Sequence, residues 1–323
     1  MKKTNMSNDK RDIRIVFMGT PEFAVTILKG LLDNNYTVAG VITAPDKPAG
    51  RGRKLNQSAV KKFALENNLT LLQPTNLKNE DFQKELKNLN ANLQVVVAFR
   101  MLPKSVWNMP KYGTFNLHAS LLPEYRGAAP INWTIINGET KTGVTTFFID
   151  EKIDTGEIIL QKEIKIDPEE NAGSLHDKLM HLGADLVCKT IKKIASKKVK
   201  TKSQPERENK SASKIYKEDC KLDFNNDIDS IYNKVRGLSP YPVSWTTIYN
   251  DGKEIEAKIY KAEKEVIKHQ YKIGKIITTK KELKITAKNG YLIITELKIA
   301  GKRKMDIVSF LNGFTFHEDA FVK

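Results

Sequence analysis

The chain is poor in cysteine: Cys188 and Cys220 are the only two in 323 residues. That excludes a disulfide framework and a cysteine-built metal module, and it fits reduced thiols in a cytosolic protein. Long apolar runs are missing too. The longest, such as residues 93–99, fall far short of the ~20 apolar residues that span a bilayer, so no membrane segment is expected. Residues 1–12 contain no apolar stretch, so they read as a disordered tail and not as a secretory signal. Arginine is scarce, at nine of the 54 basic residues. The dinucleotide fingerprint G-x-G-x-x-G is absent from the first strand–helix turn, which reads Gly19-Thr20-Pro21-Glu22-Phe23. His176 and His181 are five apart on one expected helix and do not share a face, so they are read as surface or packing residues, and no metal is expected.

What the chain has in excess is positive charge, a net +16. There are 31 basic against 21 acidic residues up to Pro205, and 23 against 17 beyond it, so the charge is not confined to one tail. A polyanion such as nucleic acid suits this balance. A lysine-rich solvated surface would give the same sum. With 40% hydrophobic residues and this length, two globular domains are expected, each with its own core.

An apolar strand over 13–18, a helical stripe of Phe23, Ile27, Leu28, Leu31 and Leu32, and a strand over 37–43 make a βαβ unit. Residues 44–57 are expected to be a long loop carrying Lys47, Arg51, Arg53 and Lys54, able to grip phosphate or simply solvated. Residues 94–99 read as a strand buried on both faces, 113–118 as another, and 143–149 and 158–166 as two more. A long amphipathic helix is expected over 172–195. Seven lysines and no acid follow within 189–202, then a polar stretch. The domain boundary falls there: a catalytic-type α/β domain over 13–200, a linker over 201–213 and a second domain over 214–323. The second domain has a short helix near 228–235 and about five alternating strands separated by turns such as Asn250-Asp251-Gly252, which suggests a small OB-like barrel. The fold class is therefore a doubly wound, mostly parallel α/β sheet followed by an all-β barrel.

Two polar constellations stand out. Along the strand over 113–118, Asn116 and His118 are two apart and point to one side, with Phe115 and Leu117 on the other. An amide and an imidazole on one strand face need partners if that face is core. After the strand over 143–149 come Asp150, Glu151, Asp154 and Glu157 around Thr155-Gly156. Acidic residues beside glycine are ordinary turn chemistry. Ligands of open α/β sheets, however, sit beyond the carboxyl ends of strands, where Asn116, His118 and Asp154 would all lie.

The motifs resemble the methionyl-tRNA formyltransferase family over nearly the whole chain. They are Phe17-Met18-Gly19-Thr20-Pro21-Glu22-Phe23-Ala24, Pro45-Asp46-Lys47-Pro48-Ala49-Gly50-Arg51-Gly52, Asn116-Leu117-His118-Ala119-Ser120-Leu121-Leu122-Pro123, Tyr125-Arg126-Gly127-Ala128-Ala129-Pro130 and Asp154-Thr155-Gly156. The Asn-x-His block is shared with the wider folate formyltransferases. The 45–52 loop and the barrel are more particular to the tRNA enzymes. Phe99-Arg100-Met101-Leu102-Pro103 departs from the family's usual small or polar residue after the aromatic.

The resemblance implies formyl transfer from 10-formyltetrahydrofolate, as co-substrate, to the α-amine of methionine on initiator tRNA, without a metal. It implies catalytic roles for Asn116, His118 and Asp154. Ser120, Leu121, Leu122 and Pro123 would line the folate site, with Met101 and Leu102 receiving the pterin. Arg51, Arg53 and Lys54 would approach the tRNA. A cytoplasmic monomer is expected. A formyltransferase for glycinamide ribonucleotide or an amino sugar, and a non-catalytic RNA-binding protein on the same fold, are the alternatives.

Overall fold

The structure, a computed structural model, describes residues 12–49, 54–205 and 210–323. The expected tail, Asp12 apart, lies outside the described residues, as do Arg51, Arg53 and the side chain of Lys54. Two compact units form. The first comprises Met1–Arg126, Gly143–Ile164 and Asp177–Ser211; the second comprises Gly127–Thr142, Lys165–His176 and Ala212–Lys323.

In the first unit the strands are β1 (Arg14–Gly19), β2 (Thr37–Ile42), the short arms β3 (Lys47–Ala49) and β4 (Lys54–Asn56), β5 (Leu71–Leu72), β6 (Leu93–Val97) and β7 (Thr114–His118). A two-residue β8 (Arg126–Gly127), β9 (Lys141–Phe148) and β10 (Ile158–Lys165) follow. The main sheet runs β10-β9-β7-β6-β1-β2-β5. Its core, β5-β2-β1-β6-β7, is parallel, and β9 pairs antiparallel to β7. The helices are α1 (Glu22–Asp33), α2 (Ala59–Glu66), α3 (Glu80–Asn88) and α4 (Lys104–Trp107); α5 (Pro130–Ile136) lies in the second unit, and α6 (Ala172–Ala195) falls mostly in the first. Within the expected loop over 44–57, β3 and β4 pair antiparallel, with Lys47 opposite Asn56 and Ala49 opposite Lys54. Asp46 fixes its base, accepting from Lys61 Nζ at 2.6 Å and Gln73 Nε2 at 2.9 Å. These bonds hold the Asp46 carboxyl below its ordinary pKa.

Strand register explains how the candidate residues reach one edge. Ile42, Met18, Val96 and Asn116 are cross-strand neighbours in a single row. The first three pack with Phe82, Leu86, Leu102 and Val106 in one apolar cluster. Asn116 is the polar member of that row, which continues on β9 at Phe147. On the opposite face Leu117 presses on α6 at Gly183, where a Cβ would come within 2.6 Å of Leu117 Cδ2. Because the central strands are parallel, their carboxyl ends share an edge, and Gly19, Val97 and His118 all terminate there.

In the second unit α7 (Ile228–Leu238) follows the two-residue β11 (Ser211–Ala212) and buries Ile228, Ile231, Val235 and Leu238. Spacings of three and four put these on one stripe. α5 packs on α7 so closely that a Cβ at Gly237 would meet Ile136 Cγ1 at 2.6 Å. Asn132 Nδ2 donates to the Gly237 carbonyl at 2.8 Å, and buried Arg236 donates to the Glu170 carbonyl at 2.9 Å. Segments 127–142 and 165–176 therefore fold with the C-terminal residues.

The remaining strands are β12 (Ser244–Asn250), β13 (Lys253–Val266), β14 (Ile276–Thr278), β15 (Leu283–Ala287), β16 (Gly290–Ile299), β17 (Met305–Asp306) and β18 (Phe321–Val322), with α8 (Ile307–Leu311) between the last two. The sheet order is β14-β15-β16-β13-β12-β18. Its two edges meet through an antiparallel bridge between Lys275 and Phe321 and a 2.8 Å bond from Val322 N to the Gly274 carbonyl. Gly274 sits at φ +82 with no room for a Cβ against Val322 O, which a glycine alone tolerates without strain. The result is the OB-like barrel expected from the alternation. β14 is short, pairing only at Ile276–Thr278, because residues 272–275 turn back onto Thr286.

Candidate active site

β7 ends at His118, and the chain turns directly into a loop that is fastened from two neighbouring strands. Thr145 Oγ1 on β9 donates to the Ser120 carbonyl at 2.7 Å and accepts from Leu122 N at 3.1 Å. Gln161 Nε2 on β10 donates to the Leu122 carbonyl at 2.9 Å and to Thr145 Oγ1 at 3.0 Å. Ser120 is fully buried and donates its hydroxyl to the Glu124 carbonyl at 2.6 Å, so it braces the loop from within. Leu122 is buried against Phe147 and Ile158, and the Leu122–Pro123 peptide is cis.

His118 is 6% exposed and has both ring nitrogens engaged. Nε2 lies 2.8 Å from the Tyr125 carbonyl. A carbonyl only accepts, so Nε2 carries a proton in both charge states of the ring. Nδ1 is then the nitrogen left for other chemistry. It faces Asp154 Oδ2 at 3.7 Å, an ion-pair distance longer than a direct hydrogen bond. Asp154 stands at φ +55, a left-handed conformation that an Asp side chain tolerates better than most. Its neighbour Gly156 is required sterically: a Cβ there would lie 1.7 Å from the Phe148 carbonyl oxygen.

The other acids of the 150–157 turn have different work. Asp150 accepts from Thr155 Oγ1 at 2.8 and 3.0 Å and from Lys152 N at 3.0 Å. Glu151 pairs with Lys104 at 2.7 Å, which lowers its pKa, and Glu157 accepts from Thr201 Oγ1 at 2.6 Å. Of the four, Asp154 is the one turned to the imidazole.

Asn116, two residues before His118, has a buried Oδ1 with no hydrogen-bond partner. A buried polar atom without a partner is costly, and such an atom at a strand's carboxyl end is what a site holds for its ligand. The arrangement offers an uncharged amide and an imidazole–carboxylate pair. It can stabilise an oxyanion and manage one proton.

A formyl transferase family model matches residues 13–191, and the model of the formyl transferase C-terminal domain matches residues 214–315. The chain belongs to the formyl transferase family. A methionyl-tRNA formyltransferase of Flavobacterium johnsoniae is 60% identical over 311 residues, covering 96% of this chain and 99% of that one. One from Bacteroides thetaiotaomicron is 49% identical, covering 94% and 97%. Among solved structures, WlaRD, a sugar 3N-formyl transferase solved with dTDP and 5-N-formyl-THF, superposes with a TM-score of 0.62 at 24% identity, over 91% of this chain and all of that one. HypX from Aquifex aeolicus, solved with tetrahydrofolic acid, gives 0.61 at 17% identity, over 94% and 47%. At these identities the two structures speak to the fold.

In this formyl transferase Asn116, His118 and the loop of residues 120–123 are contiguous, and Asp154 joins them from the loop after β9. Leu102 is buried in the apolar cluster beside α4, while Met101 is 66% exposed on the loop leaving β6. Arg100 is folded away: its guanidinium donates to the Pro74 and Thr75 carbonyls and lies over the Phe99 ring. No group of three or more His, Cys, Asp or Glu able to hold a metal occurs among the described residues, and no described helix is long and apolar enough to cross a membrane. Sequence reasoning missed Thr145, Gln161 and Gln204. They are polar residues scattered along strands and a linker, and pattern alone does not separate them from surface residues.

Proposed function

We propose that this formyl transferase moves the formyl group of 10-formyltetrahydrofolate to the α-amino group of methionine carried by initiator tRNA. The observation that carries this reading is the unpartnered Asn116 Oδ1 beside the His118–Asp154 pair. The names of the tRNA-formylating relatives support the acceptor.

The amine nitrogen attacks the formyl carbon, and the C=O pair moves to oxygen. The Asn116 Nδ2 group donates to that oxyanion, while Oδ1 accepts an N–H of the attacking amine. Asp154 faces Nδ1 of His118, so Nδ1 can hold the proton lost by the amine and return it toward the leaving folate nitrogen. Collapse of the tetrahedral centre breaks the bond to that nitrogen and leaves formylmethionine on the tRNA. No protein nucleophile is needed, because the formyl donor is already activated.

Residues 120–123 with Met101 and Leu102 are assigned to the folate. Arg51, Arg53 and Lys54 are assigned to the acceptor end of the tRNA, and residues 214–323 to its backbone, in a cytoplasmic reaction. The basic balance on both sides of Pro205 supports the polyanionic partner. The test is incubation with 10-formyltetrahydrofolate and methionyl initiator tRNA, followed by mass detection of formylmethionine. Glycinamide ribonucleotide and an amino-sugar nucleotide serve as competing acceptors. Preferential formylation of either would replace the tRNA reading.

A further inference from the structure

We infer that Gln204 is a positioning residue for the transfer: its carboxamide ties the loop bearing Asp154 to the loop bearing Tyr125, and so sets the two groups that flank His118. Nε2 of Gln204 donates to the Asp154 carbonyl at 2.9 Å and to the Gly156 carbonyl at 2.8 Å. Its Oε1 accepts from Arg126 Nε at 3.1 Å and Nη2 at 2.6 Å. Two carbonyls on one side and a guanidinium on the other admit a single orientation of the amide.

The bonds close a ring around the imidazole. Tyr125, whose carbonyl accepts the hydrogen bond from His118 Nε2, is the residue before Arg126. Asp154, whose carbonyl binds Gln204, presents its carboxylate to His118 Nδ1. Both flanking residues are non-glycine residues in left-handed backbone, Tyr125 at φ +60 and Asp154 at φ +55. Such conformations persist where surrounding bonds over-determine them. Gln204 is itself held in place. Lys202 and Ile158 exchange two backbone bonds of 2.9 Å, and Thr201 binds Glu157. The Tyr125 N–H donates to the Lys210 carbonyl at 2.6 Å, so the stretch after the lysine run is stitched to both loops. A residue that sequence patterning places in a linker thus becomes the strut of the candidate site.

This rests on the assignment of His118 and Asp154 to the transfer, and the experiment separates the two. Steady-state formylation is measured across pH for Gln204→Ala, Gln204→Glu, Asp154→Asn and the Gln204→Ala/Asp154→Asn double variant of the full chain. Misplacing a proton-handling group by a fraction of an ångström lowers turnover by roughly tenfold to a hundredfold. Gln204→Ala is expected to show that loss in kcat, with KM for tRNA and folate changed less than about threefold and the His118-governed limb of the pH–rate profile displaced. In the Asp154→Asn background the Gln204→Ala change should add almost nothing, because both act through one imidazole. Gln204→Glu keeps the acceptor for Arg126 but loses both donors, so it carries the same test if the alanine variant does not fold. A dead Asp154→Asn beside a Gln204→Ala with normal kcat and pH profile overturns the positioning role alone. So do losses that multiply in the double variant. A fully active Asp154→Asn overturns the underlying assignment and the inference with it.

Discussion

Asn116→Ala separates what an active-site amide costs the fold from what it contributes to the reaction. Asn116 sits in a cross-strand row among apolar residues, Ile42, Met18 and Val96 to one side and Phe147 to the other, and its Oδ1 is buried without a partner. Leaving such an atom unsatisfied costs about 1–3 kcal/mol. Alanine removes that cost and loses some packing, so a net gain of up to ~1 kcal/mol is expected, or a rise in Tm of about 2–4 °C for a unit of this size. Removing one oxyanion donor costs ~2.7–4 kcal/mol of transition-state stabilisation, a fall in kcat of about 10²–10³. Thr145→Val is the contrasting control. Thr145 Oγ1 bonds the Ser120 carbonyl and Leu122 N, so its loss leaves two buried partners unmatched and should lower Tm. The assay pairs thermal unfolding with single-turnover formylation. A Tm drop of about 5 °C or more in Asn116→Ala with turnover retained would refute the reasoning, because the amide would then be a structural group.

Three further outcomes are expected. Asp154→Asn, which holds its place but cannot stabilise an imidazolium, should be severely slowed while still binding folate, and its pH–rate profile should change shape; an unchanged profile would reduce Asp154 to a turn residue. Gly156→Ala drives a Cβ into the Phe148 carbonyl, so a loss of about 3 kcal/mol and most activity is expected, and a variant with parental Tm and rate would show that the turn relaxes freely. Arg51→Ala should raise KM for tRNA and flatten the salt dependence of tRNA binding by about one phosphate contact without altering folate affinity; equal damage with a small amine acceptor would place the 45–52 segment at the folate.

Much of the fold is written locally. The 3.6-residue stripe of α1, the apolar run of β6 and the 24-residue span of α6 each follow from periodicity and composition, and the alternation beyond residue 243 announces a barrel. Departures occur where pairing is non-local. β3 and β4 are too short and too rich in proline and lysine to read as strands, and only their mutual register makes them so. Segments 127–142 and 165–176 read as parts of the α/β domain, yet Gly237 and Arg236 gather them into the second unit through contacts more than sixty residues away in sequence.

The same division runs through the site. The two-residue spacing of Asn116 and His118 on a strand settles from sequence alone that they share a face, because strand geometry has a period of two. The composition likewise settles that no cysteine framework or long apolar span is available. Only tertiary structure decides which of four nearby acids turns to the imidazole, which ring nitrogen faces it, and that a glutamine fifty residues beyond Asp154 closes the ring around it. Those outcomes depend on hydrogen bonds between loops brought together by sheet order. A single polar letter in a sequence carries no record of the partner it will meet.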